Sequence, residues 1–159
     1  MEPGAILDLL GREINRASRS QTTIGLLMLD VDHFKRINDT DGNLVGDVVL
    51  REIALRISKV VRAYDSVGRY GGEEFLIVLP GCNREQVLQS AERIRSMIAE
   101  RPISADGKKI AATISIGATT SSSSTASAMQ MLRVADDSLY KAKTEGRNRM
   151  AECDLEICI

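Results

Sequence analysis

VGRYGGEEFLIVLP, residues Val67–Pro80, sets a glycine pair and two glutamates directly ahead of a run of core-type residues. It reads as two short strands joined through Gly71-Gly72. A hairpin uses the glycines, because a residue without Cβ enters positive φ freely. It has no use for Glu73 and Glu74, and paired acids on the way into a buried strand point to chemistry.

Outward from the hairpin, helical and strand patterns alternate. Residues 5–17 carry Ile6, Leu9, Leu10 and Ile14 at helical spacing. TTIGLLMLDVD follows as a strand apolar on both faces and ending in acids. HFKRIND predicts a short helix that stops before the turn TDGN, and LVGDVVLREIALRISKVVR a long amphipathic one. Downstream, Asn83 N-caps a third long helix with Pro102 beyond its end. KKIAATISIGAT predicts one more buried strand after the Asp106-Gly107 turn. The polar run SSSSTAS connects it to a last helix, which Gly146 ends. There is no internal repeat. Residues 1–159 read as one domain, with 1–5 and 150–159 at its periphery. The alternation predicts an α/β fold: a central mixed sheet flanked by helices, with functional loops beyond the strand ends.

Composition removes several function classes. The 159 residues suffice for a sizeable core, and 43% hydrophobic with 27% charged residues is the profile of a soluble globular chain. Lysine plus arginine (21) nearly cancels aspartate plus glutamate (22), so no overall field favours nucleic acid or a membrane surface. A polyanion must therefore find a local site. No apolar stretch is long enough to span a bilayer and no leader opens the chain, which predicts a cytoplasmic domain, whether or not its parent is membrane-anchored. Cys82, Cys153 and Cys158 have no metal-ligand spacing and read as reduced thiols. The tail AECDLEICI is compatible with a frayed or a packed end.

Asp30 and Asp32 close the first strand, on the same side by its period of two. Glu73 and Glu74 begin the later one, so one of them faces as Asp30 does. If these strands pair, three carboxylates converge at one sheet edge. Their repulsion raises pKa values unless a cation intervenes, and oxygen ligands of this kind suit magnesium, which keeps waters and substrate phosphates in its shell. The plainer alternatives are that Asp32 caps the next helix and Glu73 is a solvated turn acid.

DVDHFKRIND (Asp30–Asp39), GNLVGDVVL (Gly42–Leu50), GGEEF (Gly71–Phe75) and AKTEGRNR (Ala142–Arg149) together resemble the GGDEF family of diguanylate cyclases. The resemblance runs from about Ile6 to Asn148. Family enzymes serve bacterial second-messenger signalling by condensing two GTP molecules into cyclic di-GMP. The resemblance implies a palm-like, mostly antiparallel sheet. It implies magnesium, with manganese as the alternative, on Asp30, the Val31 carbonyl and Glu73. Glu73 also matches the acceptor of the attacking 3′-hydroxyl proton, and Lys35 the group that stabilises transition-state charge. The His33 and Phe34 amides would receive the β- and γ-phosphates at a helix N-terminus, with the His33 side chain incidental. Asn38 and Asp47 match the guanine readers, an assignment that suits the donor pattern of guanine. Gly71 and Gly72 would let nucleotide approach the backbone, and Lys143 and Arg147 would reach the phosphates. Asn43 departs from the family, which usually has histidine there; asparagine is shorter and never cationic.

RAYD, Arg62–Asp65, resembles the family's RxxD motif, which binds the product away from the active site, and Arg93 matches a supporting arginine. The plain alternative is an i, i+3 ion pair at a helix end. Two phosphodiester bonds need two GTP sites facing each other, so the resemblance implies a homodimer. The family leader DxLTGLxNRR is missing before AILDLLGREI, which predicts a domain excised from a larger signalling protein, with an N-terminal sensory or receiver domain as partner. The expected activity is a magnesium-dependent diguanylate cyclase under product inhibition. A catalytically silent module sensing GTP or cyclic di-GMP and a different purine nucleotide cyclase are the rivals. Neither nucleic acid nor membrane is an expected partner of the domain.

Overall fold

The computed structural model of the chain describes residues 1–122 and 126–155. Its frame is a five-stranded sheet in the order β2-β3-β1-β6-β7. The central strand β1 (Ile24–Val31) is buried throughout. It pairs antiparallel with β3 (Glu74–Pro80) on one side and β6 (Ile114–Ser121) on the other. β2 (Ser66–Arg69) extends the sheet antiparallel beyond β3, and β7 (Met150–Asp154) lies parallel to β6 at the opposite edge. The sheet is therefore mixed and mostly antiparallel, as expected.

Strand alternation divides the apolar residues between two cores. Leu27, Leu29 and Val31 face one core, which is built from α3 (Asn43–Val60) and α4 (Arg84–Glu100). Ile24, Leu26 and Met28 face the other, closed by α1 (Pro3–Ser20) and α5 (Ala128–Thr144). At roughly 2 kcal/mol for each fully buried aliphatic side chain, β1 is anchored from both sides up to its acidic end. α5 sits close on β6 because position 117 is glycine. A Cβ there would strike the Ala135 carbonyl and stand 2.9 Å from Leu139 Cα.

Helix ends follow their capping chemistry. Asn83 opens α4 and Ser127 opens α5, each in a reciprocal capping box with the glutamine three residues on. The short helix α2 (Phe34–Asp41) runs past the expected stop and ends at Gly42, whose φ of 93° breaks it.

Two expectations need correction and one open reading is decided. KKIAATISIGAT is not one strand: β5 (Lys108–Ile110) pairs with β4 (Ile103–Ala105) in a separate hairpin, and β6 begins at Ile114. Asp106 and Gly107 both have positive φ (50° and 74°), as a two-residue hairpin turn demands. Second, the described part of the tail is decided: Met150–Asp154 adds a fifth strand to the sheet. Third, Cys82 is a free, buried thiol, but Cys153 is disulfide-bonded. The reading of Cys158 and part of the SSSSTAS connection lie outside the described residues. Among the described residues, no helix is long and apolar enough to cross a membrane.

Candidate active site at the end of the central strand

The acidic end of β1 meets the start of β3. Asp30 stands opposite Glu74 in the ladder, and the Val31 N–H donates to the Glu73 carbonyl at 3.2 Å. Glu74 thus shares the Asp30 face of the sheet, while Glu73 approaches from the bend before the strand. One cleft of about 170 Å³ is lined by Asp30, Val31, Asp32, His33, Phe34, Lys35, Glu73, Lys143 and Arg147. Two groups more than a hundred residues apart in sequence meet there. The Lys143 ammonium, from the last turn of α5, contacts the Asp30 carboxylate directly.

Asp30 is nearly buried. Burial raises its pKa above the ordinary carboxylate value, and the neighbouring Asp32 adds to the rise. The hydrogen bond and charge of Lys143 oppose it, helped by Arg147. Glu74 is also raised, first by burial and then by the Asp30 charge. Among the described residues no cluster of three or more acidic, histidine or cysteine side chains forms a ready-made metal cage.

Asp32 lines the same cleft as Asp30, as the strand period suggested, but it lies past the end of β1 and its carboxylate is engaged elsewhere. Its carboxylate accepts from the Thr113 and Ser115 hydroxyls (2.7 and 2.6 Å) and from the Asn148 N–H (2.9 Å). It does not cap α2. His33 occupies that N-cap with φ 54°, and no side chain caps the helix. His33, Phe34 and Lys35, at the start of α2, line the cleft, and Lys35 is exposed.

Asn38, Asn43 and Asp47 stand apart from this cleft, on the packed pair α2 and α3. The Asn38 amide lies over Gly46, and its buried Oδ1 has no hydrogen-bond partner. Asp47 and Asn43 are exposed and four residues apart on α3, hence on one helix face. An orphaned buried acceptor beside an exposed carboxylate suits a ligand with several adjacent donors.

Gly146 follows the α5 C-cap Glu145, and the Arg147 N–H returns to the Ala142 carbonyl at 3.0 Å. That is the bond of a Schellman ending. The expected role of Gly146 therefore holds, one position beyond the cap itself. Gly71 and Gly72 differ from expectation: neither has positive φ. Gly72 has open space where a Cβ would project, while a Cβ on Gly71 would stand 3.2 Å from Glu74 Oε1. The turn does not need their conformational freedom.

A second cavity, of about 190 Å³, gathers Arg62, Asp65, Arg93 and the buried Cys82 between the end of α3 and α4. Arg62 holds Asp65 through Nε and Nη2, donates to the Pro80 carbonyl at 2.9 Å, and lies 4.3 Å from the Tyr64 ring centroid. The i, i+3 ion pair foreseen as the plain alternative is thus present, and it is present inside a cavity that also holds Arg93. The bond to Asp65 pushes the Arg62 pKa up further, and burial raises that of Cys82.

Carboxylates at the end of a central antiparallel strand meet a helix N-terminus and three cations, Lys35, Lys143 and Arg147, around one cleft of an α/β domain. The chain belongs to the GGDEF-domain family of diguanylate cyclases, whose family model matches residues 4–149. Diguanylate cyclase A of Treponema denticola is 43% identical over 137 residues, covering 86% of this chain and 37% of that protein. The fold is similar to diguanylate cyclase SiaD of Pseudomonas aeruginosa, solved with its activator SiaC. The TM-score is 0.91 at 34% identity, covering 96% of this chain and 58% of that one. It is similar also to the GGDEF domain of DgcB from Caulobacter crescentus, solved with c-di-GMP. There the TM-score is 0.89 at 34% identity, covering 98% and 88% of the two chains. The chain spans little more than a third of the Treponema protein's length.

Sequence reasoning named the cleft's cations and acids but missed what Asp32 does. Its partners lie 81, 83 and 116 residues away, and no local pattern carries that information.

Proposed function

We propose that the chain is a diguanylate cyclase domain that condenses two GTP molecules into cyclic di-GMP and two pyrophosphates. It acts as a magnesium-dependent homodimer restrained by its own product. The observation that carries the reading is the gathering of Asp30, Glu73, Lys35, Lys143 and Arg147 around one cleft at the N-terminus of α2. Family membership and the c-di-GMP bound to the similar DgcB domain support it.

The donor set fits magnesium. It offers two carboxylates and the backbone oxygen of Val31 beside cations suited to phosphate, and magnesium takes one or two carboxylates plus phosphate oxygens rather than an all-protein cage. Asp30, Val31 and Glu73 would hold it, with manganese as the alternative ion. Bound there, it lowers the pKa of the hydroxyl it aligns and offsets charge on the leaving pyrophosphate.

The chain's own groups supply the remainder. The backbone amides of His33 and Phe34 receive the terminal phosphates at the positive end of α2. Lys35, Lys143 and Arg147 neutralise phosphate charge, Lys143 exchanging its contact with Asp30 for one with phosphate. Asp47 accepts from the N1–H and N2 amino group of guanine with Asn38 beside it, and Asn43 borders the same pocket. Gly71 and Gly72 leave the approach open. Glu73 takes the proton of the 3′-hydroxyl as the new 3′-O–Pα bond forms and the Pα–O–Pβ bond breaks. One site presents one α-phosphate, so ring closure requires a second copy facing the first across a two-fold axis. The product then binds at Arg62, Asp65 and Arg93. The donor fork of Arg62 and the neighbouring Arg93 suit phosphate and guanine edges.

The test is incubation of concentrated protein with GTP and magnesium, followed by mass identification of products. The expected product is cyclic di-GMP, lost in Glu73→Gln by roughly a hundredfold or more, the usual range for a general base. A form fused to a dimerising tag guards against weak association. Nucleotide binding without turnover in that tagged form would replace this reading with the silent sensor.

A further inference from the structure

We propose that Asp32 is a positioning residue for the phosphate site: it holds Arg147 in the cleft by anchoring the left-handed loop in which Arg147 sits. This inference rests on the reading of Arg147 as a phosphate contact.

The chain leaves α5 through three consecutive residues at positive φ: Gly146 at 128°, Arg147 at 64° and Asn148 at 45°. Only the first is glycine. Arg147 takes a conformation that L-residues disfavour and Asn148 one that asparagine tolerates better, and both persist where surrounding structure dictates them. Arg147 is the residue this path delivers to the cleft.

Backbone bonds fix the path on either side, the Arg147 N–H donating to the Ala142 carbonyl and the Ile116 N–H to the Arg149 carbonyl, both at 3.0 Å. Between them the buried side-chain anchor is Asp32. Its Oδ2 receives the Asn148 N–H at 2.9 Å and the Thr113 hydroxyl at 2.7 Å. Its Oδ1 receives the Ser115 hydroxyl at 2.6 Å, and its own N–H donates to the Thr113 carbonyl at 2.9 Å. The carboxylate is 6% exposed, so these bonds form away from competing water. Asp32 thereby ties the end of β1, the entry to β6 and the exit of α5 at one point. A weaker hold comes from α4, where Arg95 donates to the Asn148 side-chain oxygen at 2.8 Å on the exposed side. Asp30, two residues earlier, engages Lys143. The two acids of DVD thus serve two of the cleft's cations, Lys143 and Arg147, in different ways, one by direct contact and one through the backbone.

The test is calorimetric binding of an unreactive α-thio GTP analogue with magnesium, alongside thermal melts. Arg147→Ala is expected to weaken binding about tenfold, the scale of one charge-assisted hydrogen bond. Asp32→Asn, which retains shape but presents an N–H₂ to at least one donor, is expected to weaken it by about the same factor. The double variant is expected to be no weaker than Arg147→Ala alone, since Asp32 acts through Arg147. A merely structural Asp32 would lower the melting point and leave affinity alone, or would weaken the Arg147→Ala background by its full factor. Either result overturns the proposal.

Should Asp32→Asn not fold, Asn148 decides. Asn148→Gly keeps the N–H and the positive φ while losing the Arg95 contact, and is expected to bind as wild type. Asn148→Pro removes the donor and excludes positive φ, and is expected to match Arg147→Ala. Wild-type affinity in Asn148→Pro overturns the proposal. Wild-type affinity in Arg147→Ala instead refutes the reading of Arg147 itself.

Discussion

Gly46→Ala separates recognition from stability with a single methyl group. Gly46 lies in α3 under the Asn38 side chain. A Cβ there would overlap Asn38 Oδ1 and stand 3.0 Å from its Cγ and 3.1 Å from Phe34 Cζ. The Phe34 ring needs to yield by a few tenths of an ångström, but the Asn38 amide must swing away by about 1 Å or more, and misplacement of that size costs a binding or catalytic group up to roughly a hundredfold. The stability terms nearly cancel. Replacing glycine inside a helix gains about 1 kcal/mol, and overpacking costs roughly 1–3 kcal/mol. The displaced atom ends a flexible side chain and has no hydrogen bond to lose, so the cost falls at the low end.

The expected outcome is a melting temperature within about 4 °C of wild type, the shift of roughly 1 kcal/mol in a chain this size. kcat/KM for GTP should fall ten- to a hundredfold by the same misplacement argument. Thermal melts and steady-state turnover of the dimerised domain measure both. In an Asn38→Ala background the methyl meets no amide, so Gly46→Ala should then cost almost nothing further. Wild-type kcat/KM in the Gly46→Ala variant would refute the role given to Asn38. A collapse of the melting temperature would refute the packing argument.

Three further variants probe the charged sites. The folded-state pKa of Asp30 is raised, chiefly by burial, so the stabilisation linked to this group is complete below the unfolded value of 3.8 and lost as pH rises through the folded one. Asp30→Asn should therefore melt higher than wild type at neutral pH, with the gap closing as pH falls toward that value. Magnesium should raise the wild-type melting point and not the variant's. A variant less stable at pH 7 would show that the Lys143 contact outweighs desolvation. In the second cavity, Arg62→Ala leaves the Asp65 side chain, 3% exposed, without its main partner, a loss of roughly 1–3 kcal/mol. Arg93→Ala strands no buried acid and should melt as wild type. Both should raise the cyclic di-GMP concentration for half-inhibition about tenfold or more. Unchanged product sensitivity in Arg93→Ala would remove that cavity from regulation.

The elements legible in the sequence are those with strong local pattern. β1 is a continuous apolar run, α4 and α5 announce their caps, and GGEEF before FLIVL marks the hairpin. β7 was missed because MAECD is only five residues long and its pairing with β6 is parallel and non-local. The split of KKIAATISIGAT was recoverable: Asp-Gly flanked by short runs is the strongest hairpin signal there is, and reading it as a mere preface to a strand overlooked the partner ISA. The account of Gly71 and Gly72 failed by assuming that glycines in a turn serve φ, when both lie at ordinary values. Convergence of Asp30, Lys143 and Arg147 was legible through family resemblance alone, since no periodicity relates the end of β1 to the exit of α5.

That convergence has a physical cost, and the fold shows how it is met. A carboxylate at the end of a strand buried throughout opposes folding through desolvation, as the raised pKa of Asp30 records. β1 tolerates it because both cores grip the strand: Leu26 and Met28 on one face, Leu27 and Leu29 on the other, all at most 2% exposed. A slip of one residue would exchange the faces and turn Asp30 toward the core built from α3 and α4. Roughly 2 kcal/mol for each aliphatic anchor stands against that slip. The same apolar run that makes β1 readable in the sequence therefore fixes where its acids emerge, and the site can be destabilising only because its strand has no other register.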